Sequence, residues 1–137
     1  MKIGVPKESA DGERRVALVP ALIPSLAKQG WQTVVETGAG ERAGFPDAAY
    51  VEKGAEIAPS RTAAVDGADA VLQVRSLGAN LEAGRDDLNL FRPGQVVIGL
   101  CDPLGQPQAV KELAERRVTL FALELIPRIT RAQSMDV

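Results

Sequence analysis

The feature that most constrains this chain is a rhythm: short runs of β-branched and apolar residues recur, each separated from the next by a stretch with helical spacing. KIGV at 2–5, QTVVE at 32–36, AVLQVR at 70–75, QVVIGL at 95–100 and VTLFAL at 118–123 read as strands. Most are continuously apolar rather than alternating, as strands covered on both faces must be, so buried parallel strands fit best. Between them, Pro20 opens a segment with Leu22, Ile23, Leu26 and Ala27 on one face and Gly30 as its stop. Pro24 suits the opening turns of that helix but not its interior. Pro46 opens a second helix that closes at Gly54, Ser60 caps a third over 60–66, and 107–117 forms a fourth with Val110, Leu113 and Ala114 facing inward. The polar stretch 80–89, with Gly84 and paired aspartates, reads as a surface loop and a candidate for mobility. The resulting order, β-α-β-α-α-β-loop-β-α-β, predicts an α/β fold: an open, mainly parallel, flavodoxin-like sheet with helices on both faces.

Length and charge narrow the rest. A chain of 137 residues with 45% hydrophobic content supports a single domain, 1–137, with its own core. Sixteen basic against eighteen acidic residues give a net charge of -2, which offers no footprint for a nucleic acid or an anionic bilayer. No run approaches the eighteen or more apolar residues of a membrane helix, and MKIGVPKES carries charges where a signal peptide places its apolar core, so a cytoplasmic chain is expected. The single cysteine, Cys101, cannot form an internal disulfide, and the absence of histidine removes both the commonest general base and the commonest metal ligand. Neither a catalytic residue nor a metal ligand is expected.

Four places carry candidate chemistry. GAGERAG at 38–44 follows a strand and fits a loosened dinucleotide fingerprint through Gly38, Gly40 and Ala43. The fingerprint needs a helix N-terminus directly after the glycines, however, and Gly44, Phe45 and Pro46 interrupt it, so a plain turn is the preferred reading. Arg15, in GERRVALVP, is either a carboxylate clamp or an ion-pair partner of Glu8 or Glu13. Cys101 and Asp102 end the fourth strand at the edge where open sheets place ligands; a buried thiol and a turn aspartate before Pro103 are the preferred readings. Finally, Thr130 and Gln133 fit a capping box, while Arg128, Arg131 and Asp136 crowd the same junction past the last strand. Capping and ligand binding both remain open there.

Taken together, MKIGVPKE at 1–8, ERRVALVP at 13–20, VVETGAG at 34–40 and above all PRITRAQSMD at 127–136 resemble one family. Over the whole chain it is similar to the N-terminal part of the NAD-binding domain in the alpha subunit of proton-translocating NAD(P) transhydrogenase, which is related to alanine dehydrogenase. The resemblance implies an oxidoreductase component that positions nicotinamide for direct hydride transfer between NADH and NADP, coupled to proton translocation by the full complex. Such transfer needs positioning rather than an acid or base, which a histidine-free chain can provide. It also implies NAD as cofactor, with Arg128, Ile129, Thr130 and Arg131 lying over the nucleotide and Arg128, Gln133 and Asp136 contacting its nicotinamide end.

Further implications concern what lies beyond these residues. A second, Rossmann-type subdomain carrying the true glycine fingerprint is expected to follow, making this chain the first subdomain of two and inactive alone. Its partners would be that subdomain, the NADP-binding and membrane components and, in the full protein, a second copy; its place would be peripheral to the inner membrane through the complex. Against an alanine-dehydrogenase-like reading, the places of that relative's catalytic lysine and histidine are held by Gln73 and by 100–103, which has no histidine. A non-catalytic flavodoxin-like interaction module is the remaining alternative.

Overall fold

The computed structural model describes residues 1–135. Six strands form one sheet: β1 (Lys2–Val5), β2 (Gln32–Glu36), β3 (Glu56–Ala58), β4 (Ala70–Arg75), β5 (Val96–Leu100) and β6 (Thr119–Ala122). Every pairing is parallel, in the order β3-β2-β1-β4-β5-β6. The five expected strands are present and stand in the 2-1-3-4-5 order of a flavodoxin-like sheet, counted among themselves. The sixth, β3, was not expected. Its three residues, Glu-Ile-Ala, carry too little apolar signal, and they are held by pairing with β2 from Val34 to Glu36. This strand extends the sheet to the 3-2-1-4-5-6 order of dinucleotide-binding folds.

Helices cover both faces, as the right-handed crossover rule requires. On one face α1 (Ile23–Lys28) and α2 (Asp47–Glu52) bury Ile23 and Tyr50 against Ile3, Val5 and Val35. On the other, α3 (Arg61–Asp66) and α5 (Pro107–Glu115) bury Val65, Ala109 and Leu113 against Val71 and Val97. Val71, Val97 and Leu113 are essentially inaccessible, worth about 1.5–3 kcal/mol apiece. Gly4 allows α3 its close approach, since a Cβ there would sit 2.9 Å from that of Ala68 and collide with the carbonyl of Ala64.

Three local expectations change. Pro24 does not continue a helix begun at Pro20: Pro20–Leu22 is a 3-10 turn, and α1 restarts at Ile23 with Pro24 in its first turn, where no intrahelical N–H is required. In α5 Leu113 is buried and Val110 packs partly buried against the same core, as expected, but the remaining inward residue is Ala109, and Ala114 is exposed. The stretch 80–89 is not simply a surface loop. It holds the short helix α4 (Gly84–Asp87), in which Gly84 and Asp87 are buried, and Asn80 is buried before it. A polar sequence can be buried when its charge is met, and Asp87 meets Arg61.

One region of the sheet has no helix over it among the described residues. Leu72, Ile98 and Phe121 are register partners across β4, β5 and β6 on the face opposite α5, and Phe121 is 57% exposed. A cavity of about 460 Å³ lies over Leu72 and Ile98, and a groove of about 630 Å³ runs from Ile98 over β6.

Candidate functional site

The strands end together at one edge, and the polar side chains of the core gather there. Glu8, just past β1, accepts from the amides of Val74 (2.6 Å) and Arg75 (3.1 Å), where the β4–β5 register is irregular. Burial pushes its carboxyl above the usual range, against those two amide bonds. Glu13 is buried and accepts from the amides of Arg14 and Arg15 and from Arg15 Nε and Nη2 at 2.8 Å each, and it forms an ion pair with Arg75 Nε at 3.0 Å. The Arg15 side-chain hydrogen bond leads in drawing its pKa down to about 2. Arg15 is therefore an ion-pair partner of Glu13, but of a buried carboxylate rather than a surface one.

Behind this pair lies a second network that sequence reading missed. Arg61 donates from Nε and Nη2 to the two oxygens of Asp87 (2.5 and 2.6 Å) and from Nη1 to the carbonyl of Lys7 (2.5 Å). Gln73 Nε2 donates to Asp87 at 2.7 Å. Gln73 is thus committed to a buried charge, and its chemistry is that of an amide, with no proton to exchange near neutral pH. Cys101 is fully buried, and burial leads in raising its thiol pKa; Asp102 has φ 46° and accepts the amide of Gly105, a turn role.

The glycine-rich turn 38–44 offers little to a phosphate. The amide of Gly38 already donates to Asp47, and those of Ala39, Glu41, Ala43, Gly44 and Phe45 donate to backbone carbonyls within the turn and at Glu36. Gly40 is there for packing: a Cβ would stand 2.6 Å from the Tyr50 ring. The turn is occupied by its own hydrogen bonds, so the residues present do not fit a pyrophosphate.

Three comparisons place this geometry among known proteins. The family model described as "Alanine dehydrogenase/PNT, N-terminal domain" matches residues 4–137. The chain belongs to this family. It is 40% identical over 136 residues to the NAD(P) transhydrogenase subunit alpha of Cereibacter sphaeroides, covering 99% of this chain and 25% of that protein. With the alanine dehydrogenase of Bacillus subtilis it shares 35% identity over 126 residues, 92% of this chain and 32% of the relative. A solved transhydrogenase from Sinorhizobium meliloti superposes with a TM-score of 0.89 at 38% identity, over 99% of this chain and 39% of that one. The chain thus spans roughly a quarter to two fifths of these relatives, and the fold is the Rossmann-like α/β sheet they share.

Within this family member, the segment after β6 forms a 3-10 turn (Leu123–Leu125) and then a 3-10 helix over Thr130–Met135. Arg128, Ile129, Thr130, Arg131 and Gln133 are all exposed along it, while Ala132 is buried and anchors it. The helix includes Thr130 itself, so the capping-box placement of that residue as N-cap is not what forms. Asp136 lies outside the described residues. Leu123 lines the cavity, and Leu125, Ile126, Pro127 and Met135 line the groove, so the candidate segment borders both. No helix of the described residues is long and apolar enough to cross a membrane.

The opposed carboxyls give a pH prediction. The pKa of Glu13 falls from 4.5 to about 2 on folding, so its stabilisation is full above about pH 4.5 and is lost as pH falls towards 2. Because Arg15 and Arg75 are 60% and 42% exposed, we expect about 1–2 kcal/mol rather than the full shift equivalent. Glu8 has the opposite sign: its charged form costs stability above its folded pKa, and acid relieves that cost. Urea unfolding of wild type and Glu13→Gln should therefore differ at pH 7, with the gap narrowing below about pH 4.5 and closing only below about pH 2.

Proposed function

We infer that this chain is the first wall of the NAD(H)-binding unit in the alpha subunit of an NAD(P) transhydrogenase, with a Rossmann-type subdomain completing the cleft. The observation that carries this reading is the match along the whole chain to transhydrogenase alpha subunits, together with a strand edge where Glu13 is paired with Arg15 and Asp87 with Arg61. Bound NAD supplies a hydride carrier. The residues of this chain then have positioning work only: Gln133 and Asp136 hydrogen-bond near the carboxamide and ribose, Arg128 orients the ring, and Ile129, Thr130 and Arg131 lie over it. The mostly apolar cavity beside Leu123 borders that segment. In the complete complex, hydride passes between NADH and NADP and is coupled to proton translocation. The assembly adds an NADP-binding component, membrane components and a second copy of the subunit, which keeps this domain cytoplasmic at the inner membrane.

Two measurements test it. Gln133→Ala, placed in the complete subunit and assayed in the assembled complex, should lower hydride transfer to an NADP analogue about tenfold or more while leaving the subunit's melting temperature unchanged, since the side chain is exposed. Unchanged transfer in both Gln133→Ala and Asp136→Ala refutes the assignment. Isolated residues 1–137 should bind NADH weaker than about millimolar in calorimetry, because one wall lacks the pyrophosphate contacts.

One observation favours a second reading. Arg15 borders the apolar cavity, with half-exposed Arg75 beside it on Glu13, an arrangement suited to a small carboxylate with an apolar body. A carboxylate ligand whose affinity collapses in Arg15→Ala would establish an amino-acid-dehydrogenase-like site instead.

A further inference from the structure

The β5–β6 ladder stops at Gly99 and Ala122, so the next amides of β5 have no strand to pair with. Those of Cys101 and Asp102 both donate to one oxygen of Glu124, at 2.7 and 2.5 Å. The tip they belong to is fixed from other sides. Ser76 bonds the carbonyl of Leu100 through its amide (2.9 Å) and its hydroxyl (3.1 Å), and the amide of Gln106, at the start of α5, donates to the carbonyl of Asp102 (2.8 Å). Asp102 adopts φ 46°, a left-handed conformation that turns the chain away after the strand tip. Glu124 itself lies in the 3-10 turn from which the segment 126–135 departs, four residues before Arg128. A carboxylate accepting two amides makes charge-assisted bonds, stronger than neutral ones and directional at both ends.

We propose that Glu124 is a positioning residue for the nucleotide-facing segment. Its carboxylate ties the departing chain to the immobile tip of β5 and so sets where Arg128, Thr130, Arg131 and Gln133 stand relative to the strand edge. The proposal rests on the reading of that segment given above. It explains an otherwise idle feature: an exposed glutamate spending its charge on backbone amides at the strand edge rather than on a neighbouring arginine. No bond is made or broken by Glu124 in the reaction; it acts through the segment it holds.

The test compares Glu124→Ala with Glu124→Gln, in the complete subunit for NADH binding and hydrogen exchange and in the assembled complex for KM and kcat. The glutamine keeps an oxygen able to accept the two amides, so it should rescue what alanine loses. Glu124→Ala is expected to raise the NADH dissociation constant and KM about tenfold with kcat within about twofold, while Glu124→Gln stays within about threefold of wild type in each. Hydrogen exchange without nucleotide reads the tie directly: amides 101–102 and 128–132 should exchange about tenfold or more faster in the alanine variant alone. Wild-type affinity in Glu124→Ala, equal impairment in both variants, or unchanged exchange at 101–102 would each overturn the proposal. A wild-type subunit that binds no NADH would instead remove the functional reading, and the exchange comparison would still decide the tie.

Discussion

Asp87→Ala is expected to destabilise the chain by about 3 kcal/mol, read as a lower midpoint in urea at pH 7, because it leaves a largely buried guanidinium with only the Lys7 carbonyl and the Glu36 carboxylate 3.8 Å away. Arg61 is 21% exposed in its side chain, and Asp87 takes two of its donors. Gln73 also loses the acceptor of its amide group. Removing one partner exposes the full cost of desolvation, whereas removing both need not. The double replacement Arg61→Met with Asp87→Leu is therefore expected to recover most of the loss. If the double variant is as unstable as Asp87→Ala, the network contributes through shape and not through charge. The bond from Arg61 to the carbonyl of Lys7 adds a local effect: without it, the turn that leads from β1 to Glu8 loses a tie.

Tyr50 is the largest fully buried side chain, and Tyr50→Ala should cost about 3–5 kcal/mol. Its ring fills the space between α2, the glycine turn at Gly40 and the core residues Val5 and Val35, while its hydroxyl donates to the carbonyl of Leu18 at 2.9 Å. Tyr50→Phe separates the two contributions. It keeps the ring and leaves only the Leu18 carbonyl without its donor, so a loss of about 1–2 kcal/mol is expected in the same denaturation experiment. Burial pushes the phenol pKa up to about 12, so the hydroxyl is a donor at neutral pH, where the denaturation is run. A Phe variant as damaged as Ala would assign the stability to the hydrogen bond and not to packing.

Much of the architecture was legible because buried parallel strands leave continuous apolar runs, and five of six did. The sixth could not be read: Glu56, Ile57 and Ala58 form a strand only because β2 presents an open edge beside them. Residues 80–89 misled for a related reason. A pair of aspartates signals solvent until a cation is supplied from elsewhere, and Arg61 lies 26 residues from Asp87 with no pattern linking them. The exposed segment after β6 is singled out as a binding site only through resemblance, since its physics alone allows capping as well as binding. Glu124 carried no signal at all, because backbone amides leave no mark in a sequence.

The helix-free rows of Leu72, Ile98 and Phe121 bear on how this chain must be handled. Doubly wound connections running outward to β6 place α4 and α5 on one side only, so covering the other side falls to something besides these crossovers. Phe121, Leu125 and Ile129 are each more than half exposed on or beside this flank, so self-association at high concentration is the expected behaviour of the isolated polypeptide. The weak NADH binding expected of it is therefore to be measured at concentrations where sedimentation gives a single monodisperse species.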